Sequence, residues 1–441
     1  SNKVCISVLQ MDMCAAIRTY VFILLNIVSI LECKVGFPKD MAMNVVFPPV
    51  IAPSKNNVVP TGHLRPLGYQ RKATGKVTET LGMPNAHVFE MKYIKQNKPV
   101  NIREGLKKLK VFTTWKDDQY LKDKFGNLNI TTTIKKQAQK HIETVMQFKK
   151  FLLDYVYEDW WLASVMPQEI AEELPLPDCL RCGSYRQRLQ EAEFWMSSGG
   201  TSSLLHSHDD HNLHCVLFGR KDFIIVEGKY KDTFEYVDRY HNAGSGYSKL
   251  DMDMINMFKN EDIANVPWTY ATVQQGDCIF VPAGYLHQVR SYGRGLSFSI
   301  LFSPSLTFDS SDCKLIPEVD GKKTEERLSD AAYVWVVRDS KRELSAMNME
   351  PSILKKYLLL LLRADDEVYF EKFEHFYDDA LTHYPDHPSA REVFDILTSE
   401  PGKSKVTRDQ IENISPSKLL HLSRIFNDAR AKQRNYVRDE L

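Results

Sequence analysis

The sequence predicts an α+β protein with a mainly β core, flanking helices and a helical C-terminal region. Three observations carry this. His206 and His208 stand two residues apart, with His287 far downstream, in the pattern of a metal-binding face on a small β-barrel. Strand-like text begins at Ala192, and two of its apolar runs hold Cys215 and Cys278. After Pro304 the chain turns charged and takes a helical period.

Strand alternation explains the histidine spacing. Alternate residues of a strand share a face, so His206, His208, Asp210, Asn212 and His214 are expected on one side and Asp209, His211 and Cys215 on the other. Two ligands on one strand and a third, His287, on a facing strand make a facial triad that leaves metal positions open. Three imidazoles can hold Fe(II), Zn(II) or Cu(II), but they supply no negative charge. Asp209 would reach their face only through a bulge, and Asp210 sits about 7 Å further along the strand. Lys221 lies fifteen residues after His206, an odd count that requires a bulge or strand change between them.

The stretches Gly200-Thr-Ser-Ser-Leu-Leu-His206-Ser-His208, Gly219-Arg-Lys221 and Gly276-Asp277 through His287 resemble the JmjC (cupin-like) domain of Fe(II)- and 2-oxoglutarate-dependent hydroxylases. The resemblance covers roughly residues 86 to 305. It implies a double-stranded β-helix (the jelly-roll or cupin fold) with Fe(II) as metal and 2-oxoglutarate as cosubstrate. It assigns the metal to His206, His208 and His287. Lys221 would pair with the distal carboxylate of 2-oxoglutarate, and Ser203 and Asn212 match positions that contact the cosubstrate or order the metal site in relatives. The chain departs from the family pattern twice: His208 replaces the expected aspartate, and Leu301 stands in the last strand where some members place a polar residue. Two functions remain open. One is a hydroxylase acting on a protein or small molecule. The other is a non-catalytic member of the fold, kept as a binding partner after losing its carboxylate ligand. A three-histidine dioxygenase that ignores 2-oxoglutarate would leave Lys221 unexplained.

Taken in order, residues 19 to 31 form a thirteen-residue apolar run after Arg18. This is too short for a bilayer, which needs about 20 residues, but it suits a signal peptide over residues 1–33 cleaved near Cys33. Residues 34–85 are rich in Pro and Gly and read as an extended arm. The text from Phe89 to Gly126 resembles the family's entry of helix, buried strand and second helix. Met146 to Tyr157 reads as a helix, and Ser248 to Thr272 as the family's insert before the Gly276-Asp277 turn. Beyond residue 305, helical periodicity marks Leu354–Arg363, Val368–Leu381, Ser389–Thr398 and Ser417–Arg434. Ser399 to Ile411 resembles an EF-hand loop but lacks Asp or Asn at the ligand positions, so plain helical packing or homodimerisation is expected of this region.

Lys plus Arg and Asp plus Glu are both 57, and residues 1–33 hold two of each (Lys3, Arg18; Asp12, Glu32), so removing them leaves the balance at zero. No basic field is offered to nucleic acid, and no amphipathic stretch or span asks for a membrane after signal cleavage. The terminal Arg438-Asp439-Glu440-Leu441 resembles the endoplasmic reticulum retrieval signal, which implies a retrieval receptor as partner and a luminal location. Asn129-Ile-Thr131 is a glycosylation sequon, and Asn413-Ile-Ser415 is a poorer one because Pro416 follows. Five cysteines follow the leader, an odd number that leaves at least one thiol out of intramolecular pairing. Cys179 and Cys182 are expected to pair with each other, and Cys215 and Cys278 to be buried apolar groups.

Overall fold

The computed structural model describes residues 45–52, 58–107, 109–134, 144–238, 246–305 and 307–439, except 315–317, 320–321, 324–325, 332, 334, 339–340, 345–348, 363–365, 382–383 and 385. The expected leader and the last two residues lie outside this set. Residues 42–441 form one compact unit.

The strands in chain order are β1 (Gly75–Lys76), β2 (Thr78–Leu81), β3 (Val100–Arg103), β4 (Asn129–Ile134), β5 (Thr144–Gln147), β6 (Trp160–Val165), β7 (Leu189–Ser197), β8 (Thr201–Ser202), β9 (His206–Ser207), β10 (His211–Val226), β11 (Tyr236–Asp238), β12 (Gly246–Ser248), β13 (Thr269–Gln274), β14 (Cys278–Val281) and β15 (Leu286–Phe302). All fifteen join one sheet, with the main order β2-β3-β14-β10-β15-β7-β6-β4-β5. The long strands β10 and β15 are antiparallel and form the spine. The first half of β10 takes β14 as its other neighbour and the second half takes β13. Likewise β15 takes β8 and β9 on its first half and β7 on its second. Two strands that each change neighbours midway wind the sheet into the double-stranded β-helix expected from sequence.

The change of neighbours has a visible cause. The β10/β15 register shifts at Val216/Phe218 and again at Phe218/Arg220. Between them Gly219 has φ +84°, and a Cβ there would meet the Arg294 carbonyl oxygen at 2.7 Å. Only glycine fits that approach and that conformation. The bulge supplies the parity change that Lys221 required.

Entry to the barrel follows the expected order of helix, buried strand and further helix. Helix α1 (Ala86–Phe89) continues as a π-helical turn, Glu90–Ile94, and is capped by Asn85, whose Oδ1 accepts from Val88 N at 2.9 Å. Strand β3 is buried, and α2 (Asp118–Phe125) follows with Asp117 as its cap. Three expectations are corrected here. The arm is not merely extended: β1 pairs with β13 and β2 with β3, both parallel. The helix expected from Met146 begins later, because Thr144–Gln147 pairs with β4, leaving α3 as Phe148–Asp154. Finally, Cys179 and Cys182 do not pair. Cys182 bonds to Cys313, while Cys179 sits buried in a 3-10 turn with its Sγ 3.5 Å from Met83 Sδ. Cys215 and Cys278 are buried as expected but are also disulfide-bonded, because they are direct partners across β10 and β14 with Cα atoms 4.0 Å apart.

After the barrel come two hairpins, β16 (Glu318–Val319) with β17 (Lys322–Lys323) and β18 (Trp335–Arg338) with β19 (Lys341–Leu344), where sequence periodicity offered none. Then follow α4 (Pro351–Leu362), β20 (Glu367–Tyr369), α5 (Phe370–Leu381), α6 (Ala390–Thr398), β21 (Lys405–Thr407), α7 (Arg408–Glu412) and α8 (Pro416–Asp439). These make two helix-loop-helix units tied by the antiparallel pair Val368↔Val406. Ser389 and Thr407 cap α6 and α7 in capping boxes with Glu392 and Gln410. Ile353, Tyr357, Phe373, Tyr377, Phe394 and Phe426 share one buried core. Among the described residues no helix is long and apolar enough to cross a membrane.

Candidate metal centre

His206 lies in the two-residue strand β9, pinned between β12 and β15, and its direct partner in β15 is His287. His208 is not on the same strand, since the chain bends through 208–210 before β10 begins. It still meets the other two. One nitrogen from each of His206, His208 and His287 lies within 4.8 Å of the others. The ring centroids of His206 and His287 are 4.2 Å apart, those of His206 and His208 5.1 Å, and those of His208 and His287 5.5 Å. Nδ1 of His206 donates to the Leu204 carbonyl at 2.8 Å and Nδ1 of His287 to the Tyr285 carbonyl at 3.2 Å. With Nδ1 donating to the backbone, the tautomer is fixed and Nε2 is the nitrogen each ring offers to a metal. Burial pushes the His287 pKa well below its ordinary value, and the neighbouring His206 and His208 push the same way. Neutral imidazole is the ligating form, so the donor set fits a divalent transition metal.

The far end of the same inner face is polar. Register places Glu193, Ser299 and His214 in one row and Trp195, Ser297 and Val216 in the next. Trp195 Nε1 donates to Ser299 Oγ at 3.1 Å, and His214 Nδ1 is 2.8 Å from the same oxygen. Lys221 is buried with Nζ 5.9 Å from the Trp195 ring, and burial pushes its pKa down to about 7 against the opposing pull of Glu193. His214 titrates well below its ordinary value through burial and then the Lys221 charge, and it also acts on His287. The Phe223 ring links the two regions, 5.7 Å from the His214 ring and 6.5 Å from the His287 ring. Four buried polar atoms here, His214 Nε2, Asn212 Oδ1, Thr201 Oγ1 and Ser297 Oγ, have no hydrogen-bond partner among the described residues. Such atoms each cost about 1–3 kcal/mol unless a ligand or water meets them; the Thr201 and Ser297 hydroxyls can donate to an anion beside Lys221, whereas Asn212 Oδ1 can only accept. Ser203, the other expected contact, accepts from Val289 N at 2.8 Å through its Oγ. Leu301 lies directly opposite Asn212 and Glu191, at the edge of this row.

The sequence profile of a family described as a cupin-like domain matches residues 85–308. The chain belongs to the cupin-like domain family. It is 22% identical to Jumonji C domain-containing protein 5 of Drosophila melanogaster over 239 residues, 50% of this chain and 58% of that protein. It is 22% identical to lysine-specific demethylase JMJ30 of Arabidopsis thaliana over 253 residues, 55% of this chain and 58% of that protein. With JmjC domain-containing protein D of Dictyostelium discoideum it shares 21% identity over 243 residues, 49% of this chain and 54% of that protein. The chain thus spans little more than half the length of these curated relatives. They are JmjC proteins, whose domain typically serves Fe(II)- and 2-oxoglutarate-dependent oxygenases.

In this cupin-like domain neither neighbouring carboxylate joins the three imidazoles. Asp210 Oδ1 accepts from Ser303 Oγ at 2.8 Å, and its Oδ2 pairs with Lys356 of α4. Asp209 Oδ1 is 3.6 Å from the same ammonium. Both carboxylates serve the C-terminal region. Sequence parity put Asp210 on the histidine face, but the bend at 208–210 breaks the alternation. Sequence reasoning also gave no role to His214, Glu193 or Trp195. Their signal was a polar or aromatic residue at every second place on strands that are otherwise apolar.

Proposed function

We propose that this protein is an Fe(II)- and 2-oxoglutarate-dependent hydroxylase whose metal is held by His206, His208 and His287. The observation that carries the reading is the convergence of three imidazoles at one end of a buried face whose other end holds Lys221. Bound Fe(II) would supply oxygen activation coupled to conversion of 2-oxoglutarate to succinate and carbon dioxide, with hydroxylation of a substrate C–H bond. The chain's own residues bind, orient and exclude water. Lys221 in its ammonium form pairs with the distal carboxylate, a charge-assisted bond strengthened by burial. The hydroxyl of Ser203 and the polar edges of Asn212, Thr201 and His214 supply further hydrogen bonds. Val216, Phe223, Ile225 and Val273 form the buried apolar wall around them.

An anaerobic Fe(II) titration tests the metal set. Stoichiometric binding should disappear in His206→Ala and His287→Ala, and 2-oxoglutarate should then add a charge-transfer band that Lys221→Ala weakens. Binding unaltered by both histidine variants would reject the assignment. A second reading has its own support: with Asp209 and Asp210 turned to Lys356, a non-catalytic binding protein of the same fold accounts for the lost carboxylate. His208→Asp separates the two. Turnover of 2-oxoglutarate by the natural protein supports the enzyme. Turnover by the aspartate variant alone supports the binding protein.

We also propose a luminal location, as the sequence led us to expect. Two disulfides, Cys182–Cys313 and Cys215–Cys278, support an oxidising compartment, and the sequon residue Asn129 is exposed at the start of β4. Immunostaining of the intact protein in the cytosol would overturn this. Substrates there would be secretory proteins or small molecules, with a retrieval receptor engaging Arg438 to Leu441.

A further inference from the structure

We propose that Lys356 is a positioning residue for the metal centre, through which helix α4 of the C-terminal region pins the turn that carries His208. The inference rests on the triad reading above. Ladder pairing holds His206 through β9 and His287 through β15, but strand structure stops after Ser207 and resumes at His211. His208 therefore sits on a turn, tied through its backbone by Gly284 N donating to the His208 carbonyl at 2.7 Å. The next two residues are where α4 takes hold. Lys356 pairs with Asp210 and lies 3.6 Å from Asp209, and the side chains of Lys356 and Asp210 are only 16% and 8% exposed. The link is one side of a closed circuit. Asp210 accepts from Ser303 Oγ, the Ser303 carbonyl accepts from Arg188 Nε at 3.3 Å, and Arg188 pairs with Glu350 immediately before α4. On the same helix Tyr357 donates to Gln190 Oε1 at 3.0 Å, while Ile353, Leu354 and Leu358 are buried in the C-terminal core.

A buried ammonium clamped on the two carboxylates that follow a metal ligand limits how far that ligand can swing. Outer-sphere partners that touch a ligand typically change metal affinity about 10- to 100-fold when removed, and a clamp on the two residues after His208 acts on the same ligand through the backbone. The C-terminal region is then a working part of the site, although it supplies no ligand.

The test uses the full chain with Co(II) alone, read by calorimetry and by the visible ligand-field bands. Lys356→Met keeps the apolar stem and removes the charge. It should bind Co(II) about 10- to 100-fold more weakly, with altered bands, and Lys356→Arg should recover much of the loss. Tyr357→Phe, which removes the same helix's hydrogen bond to Gln190 and leaves the contact with the turn in place, should leave affinity and bands unchanged. If Lys356→Met does not fold by circular dichroism, Asp210→Asn replaces it, since it retains the Ser303 bond and loses the charge. Wild-type affinity and bands in the folded variant would overturn the clamp and leave the triad standing. Failure of the natural protein to bind Co(II), or binding that survives His287→Ala, would overturn the triad and the clamp with it.

Discussion

The barrel and the C-terminal helix-loop-helix pair both have the outline of a cation site, and they treat it oppositely. In the C-terminal loops the acceptors already have cations from the chain. Arg391 donates to the Lys403 carbonyl at 2.7 Å, and Lys418 donates to the Leu397 carbonyl at 3.4 Å and pairs with Ser399 Oγ. Gly402 N donates to Asp395 Oδ1 at 3.0 Å and Lys403 pairs with Glu400 at 2.7 Å, so these carboxylates are engaged as well. In the barrel the three imidazoles converge on each other within 4.8 Å, and lone pairs that converge repel unless a cation joins them. A metal outline is therefore diagnostic only when read with the groups that fill it.

The comparison can be broken most sharply at the barrel. His287→Ala should lower Fe(II) or Co(II) affinity by at least about 100-fold, because one of three ligands is lost; calorimetry reads it directly. Lys221→Met should weaken 2-oxoglutarate binding to the metal-loaded protein by about 10- to 100-fold, the worth of a charged hydrogen bond. The same lysine gives a pH signature. Its folded pKa, about 7, lies below its unfolded value of 10.5, so between these limits the unfolded chain binds more protons and stability should rise with pH. A bound dicarboxylate favours the ammonium form, so above pH 7 binding should take up a proton, detectable by calorimetry in two buffers of different ionisation enthalpy. Gly219→Ala should cost about 1–3 kcal/mol by denaturant titration, through φ strain and the approach of the Arg294 carbonyl. The smallest effect belongs to the C-terminal loops: Lys418→Ala should cost under about 1 kcal/mol, and calcium should not shift the melting temperature. A calcium-dependent rise would show that the built-in cations can be displaced.

The barrel was legible because its signals are local: a two-residue histidine spacing, glycines at forced turns and apolar alternation. The bulge before Lys221 could be required from parity, though not located. Other features depend on distant partners. Nothing near Cys182 points to Cys313, 131 residues away, and the local spacing to Cys179 was misleading. Asp210 kept the right parity on paper, but the bend at 208–210 and the arrival of Ser303 and Lys356 give its carboxylate another role. Met146 and Gln147 read as the start of a helix until β4 pairs with them.

The Cys215–Cys278 bridge also acts on the chain before it folds. Along the backbone His208 and His287 are separated by 79 residues, but with the bridge closed the route runs seven residues to Cys215 and nine from Cys278. Loop-closure entropy scales with the logarithm of contour length, so this shortcut lowers the cost of bringing the third histidine to the other two by about 1.4 kcal/mol, or roughly tenfold in effective concentration. Cys182 and Cys313 enclose all three histidines in a larger ring. An oxidised chain that unfolds therefore keeps its ligands tethered at short range, and recapture of a lost metal becomes a search within a ring rather than along an open polymer.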